Sequence, residues 1–311
     1  MPKRLASEEI EHYEREGYVF PVRVLEDAAV AHYTEAFADY ERQAEGVLQV
    51  SYKHKMHLVA PWAADLVREP AILDAVEDLL GPDLLVWTTN LLAKDPGDEK
   101  YVSWHQDAPY WRLEPHEVAT AWVALTPSTP ETGCVRVISR SHDRPEARHI
   151  DDFDTKNLLT RGQRLVEDFG DEDGVALELQ PGEISLHHVR LYHGSAPNRG
   201  TCRRIGIAIR YISAAVKKRG EPESATLVRG IDRNAHFALE ARPQVDFGLG
   251  ERMAHNRAVR LQVVNNYAPV GGESADVREK LARQREALER GLDHFYEEWS
   301  AESEAGEAGR G

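Results

Sequence analysis

The sequence is short of cysteine, of long hydrophobic runs and of positive charge, and each shortage argues against a class of protein. Its two cysteines, Cys134 and Cys202, lie in no CxxC pair, so we expect small core residues and not a zinc ribbon or a disulfide framework. No apolar run reaches the roughly 18 residues that span a bilayer, and the first residues lack the apolar segment of a signal peptide. The net charge of −15 argues against nucleic acid or an anionic membrane as a partner. We therefore expect a soluble cytoplasmic protein.

The composition is that of a globular protein, with 41% hydrophobic and 29% charged residues in a chain of 311 residues. Apolar residues at helical spacing predict three helices near the beginning, each closed by a glycine, and a charged helix near the end. Between them the chain consists of short β-rich runs separated by Gly, Pro and Asp. The predicted helices cover residues 7–18, 25–46, 70–83 and 274–300.

We predict one domain over residues 1–311, mainly β with flanking helices. It has a helical N-terminal part at about 1–82, a β core at about 83–215 and the C-terminal helix. Many short antiparallel strands in one domain indicate a sandwich, a jelly roll or a barrel. The predicted strands cover residues 84–94, 101–107, 118–126, 134–139, 175–179, 183–193 and 204–214.

A histidine and an aspartate lie two residues apart in the aromatic stretch SWHQDAPYW, residues 103–111. In a strand, His105 and Asp107 would project from one face while Gln106 points away. Such a pair can bind a divalent metal, and His193 in LYHGSAPN is the best third ligand among the 14 histidines. Two histidines and one carboxylate form the facial triad of non-haem Fe(II) oxygenases, with metal positions left open. A satisfied histidine beside a surface aspartate is the alternative interpretation.

The segment RRIGIAIRYI contains Arg204, eleven residues after the third candidate ligand, and also has two dissimilar faces. By strand parity Arg204, Gly206, Ala208 and Arg210 share one face, while the isoleucines and Tyr211 share the other. The isoleucine face is typical of core packing. The first face suits a cosubstrate, because an arginine binds a carboxylate by two parallel hydrogen bonds. A polar strand face turned to solvent is the alternative.

The order WHQD, AWVAL, HGSAPN and a following arginine resembles the phytanoyl-CoA dioxygenase family of Fe(II)/2-oxoglutarate oxygenases. Within that family it is similar to the bacterial small-molecule hydroxylases and the non-haem halogenases. The resemblance runs from about Met56 to residues 224–237. It implies a double-stranded β-helix (jelly-roll, cupin-like) core, with Fe(II), 2-oxoglutarate and O2 as cofactor and cosubstrates. Halogenases of this group carry Gly or Ala where this chain has Asp107, so the resemblance implies hydroxylation.

The same resemblance implies roles for individual residues. His105, Asp107 and His193 would bind the iron and carry the catalysis. Arg204 would hold the distal carboxylate of 2-oxoglutarate. The other residues expected to contact the cosubstrate are Ser195 and Trp122.

The substrate site is predicted from the residues that follow the ligand stretch. Tyr110 and Trp111 can attract a cation with their ring faces, and Arg210 can bind a substrate anion or tune the iron. We expect a small polar substrate that carries an amine, such as an amino acid or an aminophosphonate. Three alternatives stay open: another oxidative outcome (desaturation, cyclisation or epimerisation), a substrate tethered to coenzyme A or a carrier protein, and a non-catalytic jelly-roll binding protein.

Overall fold

The computed structural model describes residues 2–43, 50–170, 172–269 and 274–308. The helices are α1 (Ser7–Glu16), α2 (Asp27–Gln43), α3 (Pro61–Leu66), α4 (Pro70–Leu80), α5 (Ala108–Trp111), α6 (Leu249–Asn266) and α7 (Ala275–Ala308). The strands are β1 (Tyr18–Arg23), β2 (Leu84–Lys94), β3 (Val102–His105), β4 (Leu113–Glu114), β5 (Val118–Ala124), β6 (Arg136–Ile138), β7 (His149–Asp151), β8 (Gln163–Leu165), β9 (Val175–Ala176), β10 (Glu183–His188), β11 (Tyr192–Ser195), β12 (Arg204–Ser213), β13 (Lys217–Lys218), β14 (Ser224–Arg229) and β15 (Ala238–Leu239).

Two sheets make up the core. The larger sheet has the strand order β1-β10-β5-β12-β2-β14-β15, and the smaller has the order β3-β11-β6-β9. Strand β12 lies in the middle of the larger sheet and pairs antiparallel with both β5 and β2. The predicted class, mainly β with flanking helices, is confirmed. None of the helices in the described part of the chain combines the length and the apolarity needed to cross a bilayer.

The predicted helices are present with small changes at their ends. Helix α1 ends before Gly17, whose φ of +88° lies in the left-handed region that favours glycine. Helix α2 ends at Gln43, and its predicted end at Gly46 lies outside the described residues. The C-terminal helix extends to Ala308, beyond the predicted 300. Helix α6 was not predicted, because much of its buried face is polar and gives no hydrophobic period. Its buried polar residues are His255, Asn256, Gln262 and Asn265.

The helical and β parts of the chain are less separate than the sequence indicated. Strand β1 lies inside the stretch 1–82 and forms an edge of the larger sheet by pairing with β10. It contains Pro21, which cannot donate to a ladder and is tolerated at a sheet edge. Strand β14 lies beyond residue 215 and pairs with β2. The single domain over residues 1–311 stays a prediction.

The two faces of β12 differ as the strand parity predicted. Ile205, Ile207, Ile209 and Tyr211 pack into the cluster formed with α2, α3 and α4 on the outer face of the larger sheet. On the inner face Ala208 packs with residues of both sheets, among them Trp122 and Val137. The inner face is therefore the side on which the two sheets meet.

Each cysteine has a different environment. Cys134 is buried, as predicted, whereas Cys202 is exposed, so that part of the prediction is wrong. Cys202 lies in the loop before β12, where neither sheet covers it.

Gly206 lets Trp122 lie flat against β12, because a Cβ at this position would be 1.9 Å from Cζ2 of Trp122. We expect Gly206→Ala to lower the free energy of unfolding by about 1–3 kcal/mol through overpacking. Gly250→Ala is the control, since Gly250 lies in α6 with no atom within 4 Å of an added Cβ. The control should be neutral or gain up to about 1 kcal/mol from helix propensity. Urea unfolding measures both, and equal values for the two variants would contradict this account of Trp122.

Candidate metal centre

Three side chains from two strands and a short helix converge between the sheets. His105 ends β3, His193 lies on β11, and the two residues are direct partners in the antiparallel pairing of these strands. Their ring centroids are 4.1 Å apart. Asp107 Oδ1 lies 3.2 Å from Nε2 of His105, and its Oδ2 lies 3.6 Å from Nε2 of His193. The three ligand atoms lie within 4.8 Å of one another, so these residues can hold one metal ion together.

Asp107 reaches this position in a way that the strand argument did not predict. Strand β3 ends at His105, and Asp107 has the helical angles φ −80° and ψ −36° at the start of α5. Pro109 explains the difference, because proline has no N–H for a ladder and its fixed φ suits the first turn of a helix. Gln106 points away as predicted, and its Nε2 donates to the carbonyl of Arg190 at 2.7 Å.

Backbone carbonyls orient both imidazole rings. Nδ1 of His105 donates to the carbonyl of Ser103 at 2.8 Å, and Nδ1 of His193 donates to that of Leu191 at 2.9 Å. These bonds place the lone pair of each histidine on Nε2, which faces Asp107. Oδ2 of Asp107 is buried and accepts no hydrogen bond. A buried carboxylate oxygen without a partner fits a metal ion as its missing neighbour.

The protonation states also suit a metal. Burial alone would raise the pKa of Asp107, but His193, His105 and Arg210 outweigh it and hold the pKa well below its usual range. Burial, with a further contribution from His105, lowers the pKa of His193 to about 4. Near neutral pH the site therefore contains an ionised carboxylate beside a neutral His193, the forms in which these groups bind metals.

The segment predicted as one strand over residues 183–193 is two strands in different sheets. The chain turns between β10 and β11, where the N–H of Leu191 donates to the carbonyl of His188 at 2.9 Å. This turn carries the chain from the larger sheet to the smaller one. The rings of His187 and His193 then face each other across the interior at 4.9 Å.

Two of the three residues predicted to bind 2-oxoglutarate, Arg204 and Trp122, are buried in the larger sheet, and Ser195 lies on β11 of the smaller sheet. Arg204 is 1% exposed, and its guanidinium lies over Trp122 at 5.2 Å from the ring centroid. Its Nη1 donates to the carbonyl of Gly133 and its Nη2 to that of Leu92 at 3.3 Å. Its Nε is buried without a partner. Burial lowers the pKa of Arg204 to about 10, so the group remains a cation near neutral pH.

Ser195 contacts a residue that the sequence did not single out. Lys94 is completely buried at the end of β2, and its Nζ donates to Ser195 Oγ at 2.6 Å. Lys94 is also the direct pairing partner of Arg204 across β2 and β12. A second buried cation therefore lies beside the predicted arginine. A strand-terminal lysine opposite an arginine could have been noticed only once the register of the two strands was known.

The aromatic residues after the ligand stretch are held by arginines of the chain. Arg161 lies over the ring of Tyr110 at 5.1 Å, and Arg210 lies over the ring of Trp111 at 5.3 Å. Trp111 also packs against Trp87, with the ring centroids 5.1 Å apart. The ring faces on which the amine prediction rested therefore already contact positive charges.

Comparison with known proteins identifies the family. The model of the phytanoyl-CoA dioxygenase (PhyH) family matches residues 13–206, more than half of the chain. The chain belongs to the phytanoyl-CoA dioxygenase family. The family that the sequence motifs indicated is thus confirmed, and so is the predicted enzyme class of that family, an Fe(II)- and 2-oxoglutarate-dependent dioxygenase.

The chain is similar to individual proteins and solved structures over different parts of its length. A non-heme monooxygenase structure, ThoJ in its apo form, is 35% identical with a TM-score of 0.74, covering 83% of this chain and 96% of ThoJ. A probable alpha-ketoglutarate-dependent hypophosphite dioxygenase of Stutzerimonas stutzeri is 26% identical, covering 62% of this chain and 70% of the relative. The 1-deoxypentalenic acid 11-beta-hydroxylase of Streptomyces arenae is 28% identical over 43% of this chain, which spans half the length of that relative.

Replacing a histidine of the candidate centre should remove metal binding. We expect His105→Ala or His193→Ala to weaken Fe(II) binding by more than roughly 100-fold, because changes behind metal ligands already cost about 10–100-fold. Anaerobic calorimetric titration with Fe(II) measures the affinity. His236→Ala, in an exposed loop, is the control and should bind like the unchanged protein. An unaltered affinity in either centre variant would remove that histidine from the metal site.

Proposed function

We propose that this protein hydroxylates an unactivated C–H bond of a small polar metabolite, with His105, Asp107 and His193 as the iron ligands. The observation that carries the proposal is the buried triad, in which Asp107 Oδ2 accepts no hydrogen bond and both Nε2 atoms face the carboxylate. The presence of Asp107 supports a complete triad with three open metal positions. Bound iron, 2-oxoglutarate and O2 supply the oxidation, which yields the hydroxylated substrate, succinate and CO2.

Arg204 and Lys94 support the position of the cosubstrate in this proposal. Arg204 uses two of its five N–H groups on backbone carbonyls, so three are left to donate to a carboxylate. Lys94 and Arg204 are paired directly across β2 and β12, so an anion bound beside Arg204 would also lie near the lysine. The distal carboxylate of 2-oxoglutarate is such an anion. Trp122 would form the wall beneath it, since it packs against both Arg204 and Gly206.

The substrate is proposed only as a small polar metabolite. Arg161 and Arg210 already lie over Tyr110 and Trp111, and a substrate ammonium group on these rings would meet their positive charges. We therefore retain the small polar substrate but not its amine. The relatives named for hypophosphite and for 1-deoxypentalenic acid act on acids or their anions, which is compatible with this choice.

The proposed reaction is tested with protein reconstituted with Fe(II) in the absence of air. Succinate release from 2-oxoglutarate is measured across a panel of small acids, amino acids, phosphonates, amines and acyl thioesters. The expected result is succinate formation that depends on iron and on one class of small polar compound, with a product heavier by one oxygen atom in mass spectrometry. A product that has lost two hydrogens would indicate desaturation or cyclisation. No succinate with any compound would contradict the proposal.

Replacing Arg204 should weaken the binding of 2-oxoglutarate and leave the binding of the substrate unchanged. We expect Arg204→Ala to raise the apparent Michaelis constant for 2-oxoglutarate by roughly 10- to 100-fold, because hydrogen bonds between charged groups are lost. Arg204→Lys should recover part of the affinity, since lysine is a point charge without a planar fork. Arg203→Ala is the control, because Arg203 is bound to Glu41 and Asp95 at the surface. Equal rises for 2-oxoglutarate and substrate would show that Arg204 is structural.

A further inference from the structure

Buried carboxylates in the interior are paired with basic side chains of the same chain. The pairs are Arg161–Asp151, Lys218–Glu223 at 3.3 Å and Lys55–Glu240 at 2.5 Å. Arg210 is different. Within the described part of the chain no carboxylate lies at ion-pair distance from it. Its Nη1 donates to the carbonyl of Ala208 at 3.0 Å, and its Nε is buried without a partner.

Arg210 lies in a row of polar residues that leads to the metal centre. The strand register pairs it with Thr88 on one side and Thr120 on the other, and Thr120 is paired with His187. Directly paired residues project from the same face, so the row lines the inner face of the larger sheet. The ring of His187 at the end of the row is 4.9 Å from that of His193. Two strand spacings, roughly 10 Å, separate the backbones at Arg210 and His187.

Several polar atoms of this face have no partner in the protein. Both ring nitrogens of His187 and Oγ1 of Thr120 are buried and form no hydrogen bond. The next row shows the same feature at Ser185 Oγ and Trp122 Nε1, whose residues are paired with each other. Buried donors and acceptors without partners cost free energy, so a face that collects them is built to receive a polar molecule.

Aromatic packing fixes the direction of Arg210. Opposite Arg210 the pairing of β12 with β2 slips, so that Thr88 faces Arg210 and Val86 faces Tyr211. Trp87 is the extra residue of this β-bulge, a feature that re-aims side chains next to functional sites. Trp87 packs on Trp111, and Trp111 lies under the Arg210 guanidinium. The arginine is therefore held without an ion pair. Its charge also acts on the Asp107 carboxylate of the metal centre, and its Nε is left to donate to a ligand.

We propose that Arg210 is the anion-binding group of the substrate site and that the substrate carries a carboxylate or a phosphorus oxyanion there. The inference rests on the proposed function, because it takes the metal centre as the place of oxidation. The planar fork of Arg210 donates to two oxygens of the anion, and Thr120 supplies a further hydrogen bond. The short row limits the distance between the anionic group and the carbon that is oxidised. The anion would orient the substrate at the metal centre.

The test uses the full chain loaded with Fe(II) and saturating 2-oxoglutarate in the absence of air. The probes share a propyl chain and differ in the group attached to it: butanoate, propylphosphonate, butanamide and butylamine. Calorimetric titration and the shift in Tm measure their binding. The two anions should bind, and the comparison between them separates a carboxylate site from a phosphonate site. Arg210→Gln should raise the Kd of the better anion by roughly 10- to 100-fold, and Arg210→Lys should raise it less.

Two controls make the result specific. Arg233→Gln removes the same charge from an exposed position and should leave anion binding unchanged. The affinity for 2-oxoglutarate, titrated before any probe is added, should be the same in Arg210→Gln as in the unchanged protein. A loss of 2-oxoglutarate affinity in that variant would place Arg210 at the cosubstrate and overturn the inference.

Other outcomes also decide the question. The inference is overturned if neither anion binds the unchanged protein, if the amide or amine binds as tightly as the anions, or if Arg210→Gln and Arg210→Lys both keep full anion affinity. A failure of the proposed function gives a different result. The unchanged protein would then bind no 2-oxoglutarate in a metal-dependent way, while anion binding that is lost in Arg210→Gln would still support the subsite.

Discussion

The antiparallel pairing of β11 with β3 is the contact on which the site depends, because it places His193 directly opposite His105. Neither strand is long, and each ends within two residues of its histidine. The chain is free to turn at both places. After His105 it enters the short helix α5, for which Asp107 is the N-cap residue, and before His193 it has just crossed from the larger sheet. The metal-binding geometry thus forms where the backbone changes direction twice, after His105 and before His193.

Buried charges in the interior are not all paired with an opposite charge. Carboxylates buried away from the centre are neutralised by their own basic partners. Among the described residues, by contrast, no carboxylate forms an ion pair with either arginine of the inner face of β12. Burial lowers the pKa of Arg204 and of Arg210 to about 10 in each case, which still leaves both as cations. Unpaired buried cations reduce the free energy of unfolding. An anion bound between the sheets would offset this cost.

The two arginines are set apart by their neighbours, although they lie on one strand and one face. Arg204 has backbone carbonyls, Lys94 and the flat surface of Trp122 around it. Arg210 has Trp111 beside it and the row of unpartnered polar atoms that leads to His187. Gly206 and Ala208 lie between them, and Trp122 packs against both of these small residues.

By itself the sequence determined the class of fold, the family and the residues of the candidate centre, because short β runs and the spacing of HxD, HGS and arginine are local patterns. It did not determine that residues 183–193 form two strands or that Asp107 begins a helix, since a tight turn and a proline outweigh the strand pattern there. Lys94, His187 and α6 were decided only by tertiary structure. Strand pairing places Lys94 beside Arg204, His187 faces His193 across the interior, and the buried face of α6 is largely polar. The spacing of hydrophobic residues in the sequence reveals none of these features.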